Sequence, residues 1–362
     1  MRILTITGIR PDFIRMSKIF KKFDENFDHI LVHTGQHYDK MLSDVFFEEL
    51  EIRKPDYNLE IGGPGKEHFH QTADLSVKII ELIRNEKLNP DLICFLGDSN
   101  SVVSAVALKK EGYTIAHIEA GMRSYDRRMF EETNRVVCDH CSEYLFVYHD
   151  NYKRKAVMEH INSDNVFVVG NTIVEVSQEL QSQLLHEPKK NSHIILDVHR
   201  PENFNDKTRL ENIITFANLM SYVSGLPVKM LNFGRTEKKL EEYGILLGGI
   251  KLVPLMSYKN YIESVYHSKF IISDSGTAQE EPCLFQTPVI VPRDYTERPE
   301  SVVHNCSIMI DVNTSFNDTW EQADEYIEEY TQGKITPRLH WLGDGKTSQL
   351  IVDKIKEIYQ CS

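Results

Sequence analysis

Short apolar runs alternate with stretches of helical period along most of this chain. Residues 2–7 are rich in β-branched and long apolar side chains and stop at Gly8, which predicts a strand running into a turn. Pro11 suits the first turn of a helix, and Phe13, Met16, Ile19, Phe20 and Phe23 give that helix a broad apolar face. Residues 28–33 predict a second strand and 39–50 a helix. Leu75, Ile79, Leu82 and Ile83 fall at i, i+4, i+7 and i+8, the spacing of an amphipathic helix. Further strands are expected at 91–96, 113–118, 144–148 and 166–169. Strands alternating with helices in this way predict a parallel, doubly wound sheet.

The second half repeats the rhythm. Gly170-Asn171-Thr172 opens a helix that leads into the polar run Glu187-Pro188-Lys189-Lys190-Asn191, and a domain boundary is expected close to it. Strands are expected at 194–198, 228–231, 270–272, 289–291 and 308–310. Leu210, Ile213, Ile214 and Ala217 mark a helix, and Ile351, Ile355, Ile358 and Tyr359 share one face of the last one. The predicted domains are Rossmann-like: 1–170, joined by the C-terminal helix at about 348–362, and 171–347. Two such halves imply a cleft where a ligand touches the carboxyl ends of both sheets.

Composition narrows the class. The 362 residues are 41% hydrophobic and 26% charged, enough apolar mass for two cores. A formal charge of −13 argues against a duplex nucleic-acid partner, which needs a basic surface. No run is long enough to cross a membrane, and the first strand is interrupted too soon to be a signal peptide, so a cytoplasmic protein is expected. The six scattered cysteines fit a reduced compartment better than a disulfide framework. Cys138-Asp139-His140-Cys141 has metal-like spacing but no second pair of ligands, and no metal is expected.

The candidate chemistry sits at strand ends. His117-Ile118-Glu119-Ala120-Gly121-Met122-Arg123 puts a carboxylate where open α/β sheets bind ligands, and Arg127, Arg128, Glu131 and Glu132 follow. Such alternation fits an anionic substrate that needs proton transfer, or a solvated, salt-bridged loop. Gly8-Ile9-Arg10-Pro11-Asp12 lacks a dinucleotide fingerprint, yet Arg10 at a helix start suits a phosphate. Asp98, in Gly97-Asp98-Ser99-Asn100, reads by itself as a helix cap. His199-Arg200-Pro201-Glu202-Asn203 can bind phosphate and move protons near neutral pH. Ser273-Asp274-Ser275-Gly276 is expected to open a helix whose free N–H groups cradle a diphosphate, with Glu281 one turn further in facing a ribose. Arg293, Arg298 and Glu300 follow the next strand. Gly343-Asp344-Gly345-Lys346-Thr347-Ser348 fails as a phosphate loop because His340 replaces its first glycine, so Thr347 or Ser348 is expected to cap the last helix.

These motifs, taken in order with Gly35-Gln36-His37, Glu131-Glu132-Thr133-Asn134-Arg135, Gly170-Asn171-Thr172, Gln279-Glu280-Glu281, Thr296-Glu297-Arg298-Pro299-Glu300 and Gly343-Asp344-Gly345-Lys346, resemble the non-hydrolysing UDP-N-acetylglucosamine 2-epimerases over essentially the whole chain. The resemblance implies a GT-B architecture, with two Rossmann-like domains and the last helix crossing back onto the first. It implies a cytosolic homodimer that interconverts UDP-GlcNAc and UDP-ManNAc without NAD or metal and supplies glycan precursors. The family's acids match Asp98, Glu119 and Glu132, and its catalytic histidine matches His199. Nucleotide contacts match Arg10, Ser275, Gly276 and Glu281, with Arg135 and Arg298 also in the pocket. Arg15, Gln36, Arg123 and Arg200 join them as candidate substrate-binding residues.

Departures leave alternatives open. Ile9, Asp12 and Arg15 stand where the family usually has Thr, Glu and Lys. Pro201 and Asn232-Phe233-Gly234-Arg235 replace residues that bind an activating UDP-GlcNAc in bacterial members, which puts that second site in doubt. The rival readings are a 2-epimerase of a modified UDP-HexNAc, such as a UDP-2,3-diacetamido-glucuronate or a 6-deoxy sugar, a hydrolysing epimerase, a GT-B glycosyltransferase, and a non-catalytic UDP-sugar sensor.

Overall fold

The computed structural model describes residues 1–35, 47–63, 68–313 and 316–360. The expected helix at 39–50 lies mostly outside the described residues, as does Gln36; of its described residues, 47–49 are helical and Leu50 is in a turn. The chain divides into two compact units, Met1–Val176 with Leu342–Ser362, and Ser177–Trp341. The divide therefore falls inside the helix Thr172–Leu184, a few residues past the 170/171 boundary read from the sequence.

The first unit is built on β1 (Arg2–Thr7), β2 (Asp28–His33), β3 (Tyr57–Asn58), β4 (Leu92–Leu96), β5 (Ile115–Ile118), β6 (Tyr144–Val147) and β7 (Val166–Val168). They form one sheet in the order β3-β2-β1-β4-β5-β6-β7, with every pairing parallel. The central strands read as unbroken apolar runs because helices cover both faces. Their side chains still alternate. Leu92, Cys94 and Leu96 join one core with Phe13, Met16 and Phe20, while Ile93 and Phe95 join another with Leu75, Ile79 and Ile83.

The last helix, Thr347–Gln360, packs Ile351, Val352 and Ile355 into the first of these cores. Its start is held differently from the sequence expectation. Neither Thr347 nor Ser348 caps it with a side-chain oxygen. Instead the Glu175 carboxylate accepts the Ser348 N–H at 2.9 Å and the Ser348 hydroxyl at 2.5 Å. An acid supplied by another helix does the capping and complements the positive helix end.

The second unit carries β8 (His193–Asp197), β9 (Val228–Leu231), β10 (Lys251–Val253), β11 (Ser268–Ser273), β12 (Val289–Val291) and β13 (Ser307–Met309). Their order is β10-β9-β8-β11-β12-β13, again all parallel. Ile194, Leu196, Phe270 and Ile272 pack against Leu210, Ile213 and Ala217 of the helix Lys207–Ser224. The fold is thus a two-domain, GT-B-like α/β architecture, each half a doubly wound sheet. Strand order reverses between β1 and β4 in one unit and between β8 and β11 in the other. These two switch points are where such sheets bind ligands.

One turn shows how tightly a switch-point neighbour is built. Gly121 follows β5 with φ +75°, and a Cβ there would meet the Tyr152 carbonyl oxygen at 2.6 Å. Gly121→Ala is expected to cost about 2–4 kcal/mol from backbone strain plus overpacking. Urea denaturation measures this, and an unchanged midpoint would contradict it.

Candidate active site

At the first switch point, Arg10 begins the helix Arg10–Asn26 directly after β1 and is half-buried. Asp98 follows β4. Its carboxylate pairs with Arg135 from the helix Phe130–Cys141, and its carbonyl accepts Asn134 Nδ2 at 2.9 Å. The adjacent 3-10 turn Asn100–Ser104 has no side-chain cap bond, so Asp98 is not the helix cap its position first implies. Arg135 is completely buried and also reaches Glu132 at 3.1 Å. Glu132 is fixed at both oxygens. It accepts the Ser124 N–H at 2.9 Å and hydroxyl at 3.0 Å on one, and the Tyr125 N–H at 2.9 Å on the other.

Glu119 follows β5 at φ +66°, a strained conformation for a residue with a side chain. Its carboxylate pairs with buried Arg15 and accepts the Tyr148 hydroxyl at 3.2 Å. Tyr148 is in turn bonded to Thr172 Oγ1 at 2.8 Å. The three sequence-predicted acids of this unit are thus each held by a buried arginine, Arg15 or Arg135.

Arg123 is placed differently. It is 2% exposed, lies 2.7 Å from Asp139, and grips Glu159 with two bonds of 2.9 and 2.6 Å. These partners belong to the scaffold, so the Arg123 guanidinium is engaged within the first unit. The sequence also missed His117. Its Nε2 lies 2.7 Å from the Gly97 carbonyl and its Nδ1 lies 2.6 Å from Asp139 Oδ1. A carbonyl only accepts, so Nε2 carries a hydrogen. Asp139 already accepts the Gly121 N–H at 3.0 Å and faces Arg123, which keeps it ionised, so Nδ1 donates as well. His117 is therefore a buried imidazolium. Burial opposes that charge, but the neighbouring Cys138 sulfur and Asp139 carboxylate raise its pKa to about 10.

Asp12 is a second missed group. It is buried, with the Ser99 hydroxyl at 3.3 Å and the Thr7 hydroxyl at 3.4 Å. Burial, and then the nearby Asp98 charge, push its pKa up to about 8 against the pull of Arg15. At neutral pH Asp12 therefore keeps its proton.

At the second switch point, His199 and Arg200 follow β8, and Asp274, Ser275 and Gly276 follow β11. The His199 N–H donates to Asp274 Oδ1 at 3.0 Å and the Arg200 N–H to Oδ2 at 3.1 Å. The Asn203 amide adds a third donor at 3.0 Å. The His199 ring places Nδ1 2.8 Å from Asp197 Oδ1. The two carboxylates raise the His199 pKa although burial works against it, while burial and the Asp197 charge push Asp274 up. These three side chains bring donor atoms within 4.8 Å of one another, a spacing that a metal ion could use. Ser273, Asn203 and two backbone N–H groups already occupy the carboxylate oxygens, so the grouping is read as support for the imidazole.

No long helix starts at Gly276. The chain makes a 3-10 turn at Thr277–Gln279 and then a short helix, Glu281–Leu284, with Pro282 in its first turn. Glu281 opens that helix, is 3% exposed, and bonds to the Tyr258 hydroxyl. Arg298 pairs with Glu280 at 2.9 Å and with Glu297. Arg200 approaches Glu297 at 3.9 Å, and Arg293 reaches it at 3.2 Å. Gly276 lies against this ion pair, where a Cβ would come within 2.7 Å of Glu297. Among the described residues, no helix is long and apolar enough to cross a membrane.

A family model described as UDP-N-acetylglucosamine 2-epimerase matches residues 21–356. A UDP-N-acetylglucosamine 2-epimerase of Methanococcus maripaludis is 34% identical over 97% of this chain and 97% of its own length. The UDP-2,3-diacetamido-2,3-dideoxy-D-glucuronate 2-epimerase of Pseudomonas aeruginosa is 32% identical over 86% of this chain and 88% of its own. The crystal structure of the Methanocaldococcus jannaschii UDP-GlcNAc 2-epimerase, in complex with UDP-GlcNAc and UDP, matches with a TM-score of 0.86 at 31% identity. That match covers 99% of this chain and 100% of the other.

The Asp12 environment makes a testable pH dependence. Its folded pKa of about 8 lies above the ordinary 3.8, so the folded chain keeps a proton that the unfolded chain has lost. That contribution to stability is full below about pH 4, falls as pH rises, and levels off above about pH 8. Asp12→Asn does not titrate. Its melting temperature relative to the natural chain is expected to climb between about pH 4 and 8, and a constant difference would contradict the assignment.

Proposed function

Because the chain belongs to the UDP-N-acetylglucosamine 2-epimerase family, we propose that it interconverts UDP-GlcNAc and UDP-ManNAc by eliminating UDP to 2-acetamidoglucal and adding it back. It is an isomerase acting on a nucleotide sugar. The observation that carries the mechanistic reading is the trio Asp98, Glu119 and Glu132, two acids after strands and one in the first turn of a helix, each held by a buried arginine.

The hydrogen on C2 of the sugar is not flanked by a carbonyl, so a carboxylate cannot remove it unaided. As the C1–O bond to UDP stretches, positive charge grows at C1 and C2–H becomes acidic. A carboxylate then takes the proton. The C–H electron pair becomes the C1–C2 double bond, and the C1–O pair leaves on the β-phosphate. Protonation of C2 from the opposite face and return of the phosphate oxygen to C1 invert the centre. Base and acid at two faces are roles for Asp98, Glu119 and Glu132. Arg15 and Arg135 fix their direction, and protonated Asp12 limits the negative charge gathered around Asp98.

The leaving diphosphate needs cations and N–H donors that strengthen as charge develops. His199, Arg200, Ser275 and Gly276 of the second unit take that role, with Arg298 fixing the Gly276 turn. Glu281, steadied by Tyr258, accepts the ribose hydroxyls. A second reading, a 2-epimerase of a modified UDP-HexNAc, draws on the Pseudomonas aeruginosa relative, which shares 32% identity.

Proton NMR of the protein with UDP-GlcNAc in heavy water tests the reading. The expected result is UDP-ManNAc with deuterium at C2. Free ManNAc and UDP would contradict it in favour of hydrolysis. An unchanged spectrum, with UDP still bound, would transfer the assignment to a modified sugar. Asp98→Asn, Glu119→Gln and Glu132→Gln are each expected to lower kcat by about 100-fold or more while the circular dichroism stays native. A variant that kept full activity would remove its residue from the trio.

A further inference from the structure

The surroundings of His199 fix more than its position. Nδ1 lies 2.8 Å from Asp197 Oδ1 and 3.4 Å from Asp274 Oδ1. Asp197 is itself anchored, since its other oxygen accepts the Ser273 hydroxyl at 2.9 Å. Asp274 takes N–H bonds from His199, Arg200 and Asn203. With its other oxygen already taken by Ser273, Asp197 leaves Oδ1 to accept a hydrogen from Nδ1. The Phe233 ring lies across the imidazole, with centroids 4.9 Å apart and planes tilted by 36°. An aromatic face at that distance favours a cation. The opposing charge nearby is Arg200, whose guanidinium is drawn toward Glu297 at 3.9 Å. Nε2 lies on the opposite ring edge from the two carboxylates, and the side chain is 30% exposed.

We propose that Asp197, Asp274 and Phe233 are positioning residues that hold His199 as a doubly protonated imidazolium with its Nε2–H presented to the substrate's diphosphate. The diphosphate as ligand rests on the function proposed above; the charge state does not. In this form His199 has no lone pair and takes no proton from C2. Proton removal at C2 falls to a carboxylate. As the C1–O bond breaks and its electron pair moves to the β-phosphate oxygen, the Nε2–H bond to that phosphate tightens, and the proton stays on nitrogen. Phe233, one of the departures from the family pattern, becomes a packing partner of the histidine.

Nitrogen-15 NMR of the histidine side chains in the ligand-free, full-length protein tests the charge state without any turnover. His199→Gln identifies the resonance. Both His199 ring nitrogens are expected to be protonated at about pH 7, above the ordinary histidine midpoint. In Asp197→Asn the midpoint is expected to fall by about one unit or more, and Asp274→Asn moves it the same way. Asp197→Glu, which keeps the charge, is expected to restore most of the shift. Where the protein turns over UDP-GlcNAc, the alkaline limb of kcat/KM follows the same midpoint in each variant. Inorganic pyrophosphate added to the natural protein is expected to move the Nε2 signal more than the Nδ1 signal. A neutral His199 at about pH 7, or a midpoint unmoved in both Asn variants, overturns the proposal. Absence of epimerisation with the NMR results intact would overturn the function and leave the imidazolium standing.

Discussion

The buried contact of His117 with Asp139 is the constraint on which the first unit's site depends. One imidazolium bonds the carbonyl at the end of β4 and a carboxylate on the helix Phe130–Cys141. That same carboxylate bonds the Gly121 N–H after β5 and pairs with Arg123. The segments so joined carry Asp98, Glu119, Glu132 and Arg135. A charge in apolar surroundings is costly unless fully paired, and breaking one partner strands the other. The loops bearing the acids are therefore tied to an arrangement that cannot shift without exposing a buried ion.

The same logic is applied one layer out. Arg135 and Arg15 are buried cations whose carboxylate partners are the proposed catalytic acids. In the second unit, Glu297 lies among Arg293, Arg298 and Arg200 beside the Gly276 turn. Fixed charges of this kind act on a developing transition-state charge without reorganising at the moment of reaction. Asp12 adds the complementary device, a carboxyl kept neutral by burial where another anion would be repelled.

Much of this was readable in the sequence, and the exceptions have physical causes. Central parallel strands announce themselves as apolar runs because both of their faces are covered. The edge strands β3 and β10, of two and three residues, have no such run and were missed. Gly276 looked like a helix start, yet the helix waits for Glu281 and Pro282. Asp98 looked like a cap because capping is decided locally, whereas its true partner, Arg135, lies 37 residues on. Arg123 sits in the same charged stretch as Glu132 and Arg135, and nothing in the spacing tells which arginine turns toward the scaffold. His117 could have been suspected from a charged residue in the middle of an apolar strand. Asp12 could not, because its raised pKa comes from burial and a neighbour brought in by β4.

In the proposed mechanism, fixed acids act on C2 only because the bond from C1 to UDP is broken first. Positional isotope exchange measures that cleavage directly. UDP-GlcNAc would carry oxygen-18 in the bridge between C1 and the β-phosphate, and the phosphorus-31 spectrum would be followed during turnover. The account predicts that the label migrates from the bridge into the non-bridging β-phosphate oxygens as bound UDP rotates and returns. Epimerisation with the label held in the bridge would contradict it, since C2 would then invert with the C1–O bond intact.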